Sequence, residues 1–469
     1  MTTSKTKSQK ENSQNSSKKP DRKKSKSKAT TEPHKKSSGK RRLGENSTKP
    51  TKIRKKAEKD PLLNKEREFK LKRVLLGHGH LNPSAVLSEE GESLTDIWAC
   101  QFEPAQLDKP NPLVAIASSY TLLFLDTQQG RITKKYTHTE TQEVFYSLDW
   151  TVLRTGSKTL KGHEDCTLLA AAGRLGSIKL FNPLQNQCYR YLFGHSKSVM
   201  KLAFSKKEPR WLYSASADNT VRLWDIGSPT SETDDSVCLA KFNVTGATGF
   251  PSAVSFSYDL SVLVVGSDAG DLVQFKLTKK DIQNLKNIKG DHDEDAFTPA
   301  INFSPNVVYP GGDEWHEGYV DDVYIMGQNG DNSDPLNNMI VSRGSEDYEI
   351  IVWDPTKSTK KDSEILKSLE WPESDESTGL RMKVYEKKDE KILVAGDYDG
   401  EIKVFNIGDG KRSKLLDDNS LEQFKPDNIL KDPQSSALIR DVCYSSELRT
   451  LVAVNAENHI FIWTCDNTI

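Results

Sequence analysis

Before Phe69 the chain has no aromatic residue, and its first 60 positions offer little apolar material beyond Leu43, Ile53 and two alanines. Such a segment cannot bury enough surface to offset the entropy of ordering, so residues 1–68 are predicted to be disordered. Long apolar runs are missing as well. Runs such as those at 122–125 and 262–265 are strand-sized, whereas a helix crossing a bilayer needs about 20 apolar residues. The N-terminus is charged with no apolar segment behind it, which argues against a secretory signal. Six cysteines (Cys100, Cys166, Cys188, Cys238, Cys443 and Cys465) lie scattered, without a Cys-x-x-Cys pair or metal-ligand spacing. Free thiols in a reducing compartment are expected, with no metal and no other cofactor. Gly-x-Ser-x-Gly, His-Glu-x-x-His and Gly-x-x-x-x-Gly-Lys-Ser/Thr are all absent. These gaps leave a non-enzymatic binding scaffold, without membrane contact, as the expectation.

Net charge is nearly absent too, at −1, but that balance hides two opposed parts. Residues 1–60 carry 21 Lys/Arg and 6 Asp/Glu, and the rest of the chain carries 45 and 61. The arm's basic residues cluster as Arg22-Lys23-Lys24, Lys40-Arg41-Arg42 and Lys52-Ile53-Arg54-Lys55-Lys56. The last two clusters are spaced like a bipartite nuclear import signal. The same side chains would neutralise phosphates and confer non-specific, salt-sensitive affinity for nucleic acid. No aromatic residue interleaves them, so stacking on bases is not expected.

What is present, from residue 69 to 469, is a repeat. Its clearest copy runs from Gly194-His195 through Leu212-Tyr213-Ser214-Ala215-Ser216-Ala217-Asp218 to Leu223-Trp224-Asp225. Seven third-strand signatures recur, ending in Asp126, Asn182, Asp225, Phe275, Asp354, Asn406 and Trp463. Seven four-stranded blades closed in a ring, an all-β propeller, is the natural architecture. The chain ends soon after Trp463, so Leu71-Lys72-Arg73-Val74-Leu75-Leu76 is expected to supply the outer strand of the last blade. Polar insertions at 279–298, 306–321, 357–379 and 407–433 read as loops, where binding functions concentrate.

The unit from Gly194 to Asp225 resembles the WD repeat. That resemblance implies a buried structural network of His195, Asp218, Ser214 or Ser216, and Trp224. A buried imidazole is inexpensive only when both nitrogens find partners. Asp96-Ile97-Trp98-Ala99-Cys100-Gln101-Phe102, Phe145-Tyr146-Ser147-Leu148-Asp149-Trp150 and Ala437-Leu438-Ile439-Arg440 are more specific. The first two are similar to the WD domain of the leucine-rich-repeat-and-WD-repeat family associated with the origin recognition complex. All three resemble the embryonic ectoderm development subunit of Polycomb repressive complex 2. Both families imply recognition of trimethyl-lysine on histone tails. A trimethylammonium donates no hydrogen bond and is selected by aromatic faces. By resemblance, Trp98 and Tyr146, with Phe145 adjacent, match cage positions. Arg381 stands where that family has an aromatic residue, leaving Trp371 and Tyr385 as candidates for the third wall. The function implied is a nuclear chromatin adaptor binding histone tail peptides and a multi-subunit partner, the origin recognition complex or a methyltransferase complex. Retention on heterochromatin is the localisation that fits. A nuclear or nucleolar assembly scaffold, for example in ribosome biogenesis, with an RNA-binding arm is the alternative.

Overall fold

The computed structural model describes residues 68–77, 96–104, 113–155, 164–229, 235–288, 300–331, 333–372, 378–387, 390–417 and 420–465. The chain divides into two units, Met1–Lys65 and Glu66–Ile469. The first, with the basic clusters, lies outside the described residues.

Alternation of apolar and polar residues over five to seven positions favours short strands, and tight turns join them. The result is seven antiparallel sheets. Their innermost strands are Ile97–Phe102, Phe145–Thr155, Val199–Phe204, Pro251–Phe256, Val320–Ile325, Met382–Lys387 and Ile439–Tyr444, in blades 1 to 7. Ring closure follows the expectation from sequence: Phe69–Leu76 pairs antiparallel with His459–Cys465 as the outer strand of blade 7.

The core is distributed rather than central. Each of seven hydrophobic clusters among the described residues joins two consecutive blades. The cluster closing the ring sets Ile97, Ile116 and Leu123 of blade 1 against Val452, Val454 and Ile462 of blade 7. Middle strands are therefore buried on both faces, as in Trp211–Ser216, whereas the outer strand Arg131–Thr137 alternates exposed and half-buried positions.

The polar insertions are more ordered than the loops read from sequence. Lys279–Asn287 forms a helix. Thr278 and Asp281 build a reciprocal capping box at its start, which satisfies otherwise orphaned N–H groups. Val307–Tyr309 and Asn428–Lys431 are the outer strands of blades 4 and 6. Ile301–Phe303 and Gln423–Phe424 add fifth strands, in parallel, to blades 3 and 5. No helix among the described residues is long and apolar enough to cross a membrane.

Candidate functional site

In blade 3, His195 Nδ1 lies 2.9 Å from Asp218 Oδ2, and its Nε2 lies 2.7 Å from Ser214 Oγ. Trp224 Nε1 donates to the same Ser214 oxygen at 2.8 Å. Ser216 stands outside this chain of bonds; its hydroxyl donates to Lys197 O at 3.1 Å and accepts from Asp218 N. Burial holds the imidazole below its usual pKa against the pull of Asp218. Burial also opposes charge on Asp218, but hydrogen bonds from His195, Thr220 and the Ser196 amide outweigh it and hold the carboxyl well below the usual range. Blade 5 contains a second copy that sequence reasoning missed. His316 bridges Asp347 and, at 2.8 Å, Ser342 Oγ, to which Trp353 Nε1 donates at 3.1 Å. No glycine precedes His316, and a long insertion separates the first two strands. The surviving signal was Trp353-Asp354 after a Ser/Glu/Asp turn.

The mouth of the channel is built by a backbone irregularity repeated around the ring. Register slips by one residue near the start of six inner strands, at Trp98, Tyr146, Met200, Ser252, Asp321 and Arg440. A β-bulge re-aims the extra residue's side chain, commonly at the rim of a closed sheet. Arg381, immediately before the pair Met382↔Ala395, is the corresponding residue of blade 6. The Arg381 guanidinium reaches across to donate to Met200 O at 2.7 Å and to Asp321 O at 3.1 Å. Asp321, fully buried, has its carboxyl pushed up to about 6 by burial, against the opposing charge of Arg343.

At this mouth the structure brings together two of the five predicted cage residues. Trp98 and Tyr146 meet edge to face, with ring centroids 5.1 Å apart. The Trp98 face already holds a cation: the Arg440 guanidinium sits 4.3 Å from its centroid. Arg440 is fixed there by donating to Thr378 O at 2.7 Å and by Asp96 at 3.7 Å. Gly379, at φ +80, brings backbone against the same indole; a Cβ there would lie 3.3 Å from it.

The other three candidates lie in the packing between blades. Phe145 is fully buried in the cluster between blades 1 and 2, with Lys179 Nζ 5.6 Å from its ring. The bulge re-aims Tyr146, while Phe145, paired with Gly173, stays in the core. Trp371 lies in the cluster between blades 5 and 6, beneath the Arg343 guanidinium at 4.3 Å. Tyr385 is four residues past Arg381, roughly 13 Å along the strand. There it packs in the cluster between blades 6 and 7, edge-on to Tyr444 at 5.4 Å.

Below the mouth, a cavity of about 220 Å³ is lined by opposed charges. Lys201 Nζ reaches Asp322 Oδ1 at 2.8 Å, joining blade 3 to blade 5, and Lys383 Nζ lies 3.6 Å from Asp441 Oδ1. Burial pushes the Lys201 ammonium down to about 8, against the attraction of Asp322. Burial works against the charge of Asp322, but Lys201, Arg381 and Lys383 outweigh it and hold the carboxyl below its usual range. Several of these groups also staple neighbouring inner strands. Asp322 Oδ2 accepts from Met382 N at 3.2 Å, Ser147 Oγ from Leu202 N at 3.0 Å and Ser255 Oγ from Ile325 N at 2.9 Å. Asp441 Oδ2 accepts from Cys100 N at 2.9 Å and so ties blade 7 to blade 1. No group of three or more His, Cys, Asp or Glu side chains among the described residues is arranged to hold a metal ion.

Residues 81–270 match the family model of the WD domain of leucine-rich repeat and WD repeat-containing protein 1. The chain is 26% identical over 393 residues to leucine-rich repeat and WD repeat-containing protein 1 of Xenopus tropicalis, covering 79% of this chain and 52% of that protein. It therefore spans about half the length of that relative. It is 22% identical over 370 residues to Polycomb protein esc of Drosophila melanogaster, covering 76% of this chain and 78% of that protein. Among solved structures, a chain of a humanized mutant of the Chaetomium thermophilum Polycomb Repressive Complex 2 bound to the inhibitor GSK126 matches with a TM-score of 0.64 at 17% identity. That match covers 85% of this chain and 97% of the other, and it establishes the fold alone. Both family resemblances read from the sequence are recovered by these comparisons.

Proposed function

We propose that the protein is a non-enzymatic nuclear chromatin adaptor whose channel mouth binds a histone tail and whose remaining surface docks a multi-subunit partner. The observation that supports this reading best is the Trp98–Tyr146 corner, which presents an indole face to a cation at the open end of the ring. A guanidinium is a weakly hydrated cation, and a trimethylammonium shares that property. Methyl-lysine enters by exchange with Arg440, which swings off the indole while a tail residue takes its place. Trp98 is half-buried, so its ring is reachable from the mouth. The family resemblances read from the sequence suggest a partner such as the origin recognition complex or a histone methyltransferase complex. The basic arm contributes non-specific phosphate contacts.

The test is binding of the full chain to a methylated histone-peptide array, beside a Trp98→Ala, Tyr146→Ala double variant whose folding is checked by circular dichroism. Methyl-dependent binding that disappears in the folded double variant is expected. Arg440→Ala, which frees the indole face, is expected to strengthen the methyl-lysine signal several-fold. Binding to no mark by either the parent or Arg440→Ala removes the reader and leaves a protein-docking scaffold.

A further inference from the structure

A groove of about 1020 Å³ lies between the loop entering blade 5, that blade's second hairpin and residues 415–416, 420–421 and 423 at its outermost edge. Its charge has one sign. Asp313, Glu314, Glu317 and Glu346 line it at exposed positions, with Glu349 and Glu364 half-buried, and no Lys, Arg or His is among the lining residues. It is also apolar. Tyr348, Leu415 and Leu416 line it with 57%, 68% and 46% of their surface exposed. Trp315, 5% exposed, lines it too, and the indole Nε1 has no hydrogen-bond acceptor among the described residues. Exposed leucines gain nothing for a solvated rim, and apolar side chains set among carboxylates suit a partner that covers both.

We propose that this groove docks a Lys/Arg-rich linear segment of a partner protein that carries bulky apolar side chains. Carboxylates alone would attract any polycation, and leucines alone any hydrophobe. Side by side, the two select a chain that satisfies both, with the charges steering encounter and the apolar contacts prolonging it. This docking surface does not depend on the reading of the channel mouth.

The probe is a fluorescein-labelled synthetic peptide of lysines and arginines interrupted by leucines, beside a counterpart with serine at each leucine. Anisotropy is measured on the full chain at near-physiological salt. Glu317→Gln with Glu346→Gln, and separately Leu415→Ser with Leu416→Ser, alter exposed positions, and thermal melting verifies that each pair folds. Each pair is expected to weaken binding roughly tenfold. The serine peptide should bind the parent about as poorly, and Trp98→Ala with Tyr146→Ala should change nothing. Unchanged binding in either pair overturns the proposal; loss in the Glu pair alone reduces the groove to non-specific attraction of polycations.

Discussion

Blades 2 and 3 solve one mechanical problem with opposite chemistry. Each must tie the loop that enters the blade to its third strand. Blade 3 uses neutral and singly charged groups in series, His195 to Ser214 to Trp224, with Asp218 bracing the imidazole. Blade 2 uses an ion pair: Lys179 of Ile178–Asn182 meets Glu143 of the entering loop, and both side chains are fully buried. Glu143 also accepts from the Val144 and Leu175 amides at 3.1 and 3.2 Å. Blade 5 repeats the blade 3 solution with His316. The imidazole network buries one charge, the Asp218 carboxylate, which hydrogen bonds from His195, Thr220 and the Ser196 amide compensate. A buried ion pair gives up hydration on both partners, so it tolerates only joint removal.

Three changes would sharpen or break that comparison. The largest effect is expected from Lys179→Met, which leaves the Glu143 carboxylate buried without its cation. Loss of stability should be about 3–5 kcal/mol, and adding Glu143→Gln should recover more than half of it, as read by denaturant unfolding. His195→Leu in blade 3 comes next. It deprives Asp218 and Ser214 of a partner and should cost about 2 kcal/mol, within the range for stranding buried polar groups. A cost equal to that of Lys179→Met would erase the distinction between the two solutions.

The smallest effect concerns pH. Burial keeps folded His195 below its usual pKa, so in acid the unfolded imidazole takes up a proton before the folded one does. The stability involved is complete above roughly pH 6.5 and declines as pH falls through that value toward the folded pKa. Asp218, held low in the fold, adds a further loss only when pH falls below about 3.9. Thermal melts near neutrality and at mildly acid pH should therefore converge when His195 is replaced by Gln. An undiminished acid sensitivity in that variant would move its source elsewhere in the ring.

Much of the ring was legible before any coordinates. Strand signatures such as Val221-Arg222-Leu223-Trp224-Asp225 are local patterns, and each blade repeats them independently of its neighbours. The closing strand was legible because Leu71-Lys72-Arg73-Val74-Leu75-Leu76 is an apolar strand pattern lying ahead of the first blade. Less regular pieces escaped. The His316 network was hidden because its members are spread over a longer stretch than those of His195. The Glu143–Lys179 pair was invisible because two charged residues on a strand and a loop read as solvated. The helix Lys279–Asn287 sat in a stretch whose polarity suggested a loop, although its Thr278-to-Asp281 spacing is a helix-start signal.

The candidate site divides in the same way. By itself the sequence determined that aromatic residues would begin the inner strands of blades 1 and 2, and that Arg381 would break the pattern in blade 6. Those are statements about type and position along a strand, which alternation and turn spacing encode locally. Only the tertiary structure decided what stands against them. Phe145 turned into the core, Tyr385 fell at the deep end of its strand, and Arg440 came to rest on Trp98. That last contact joins blade 7 to blade 1, so it exists only once the ring has closed. Local sequence carries no information about which cation will meet an indole from the opposite end of the chain.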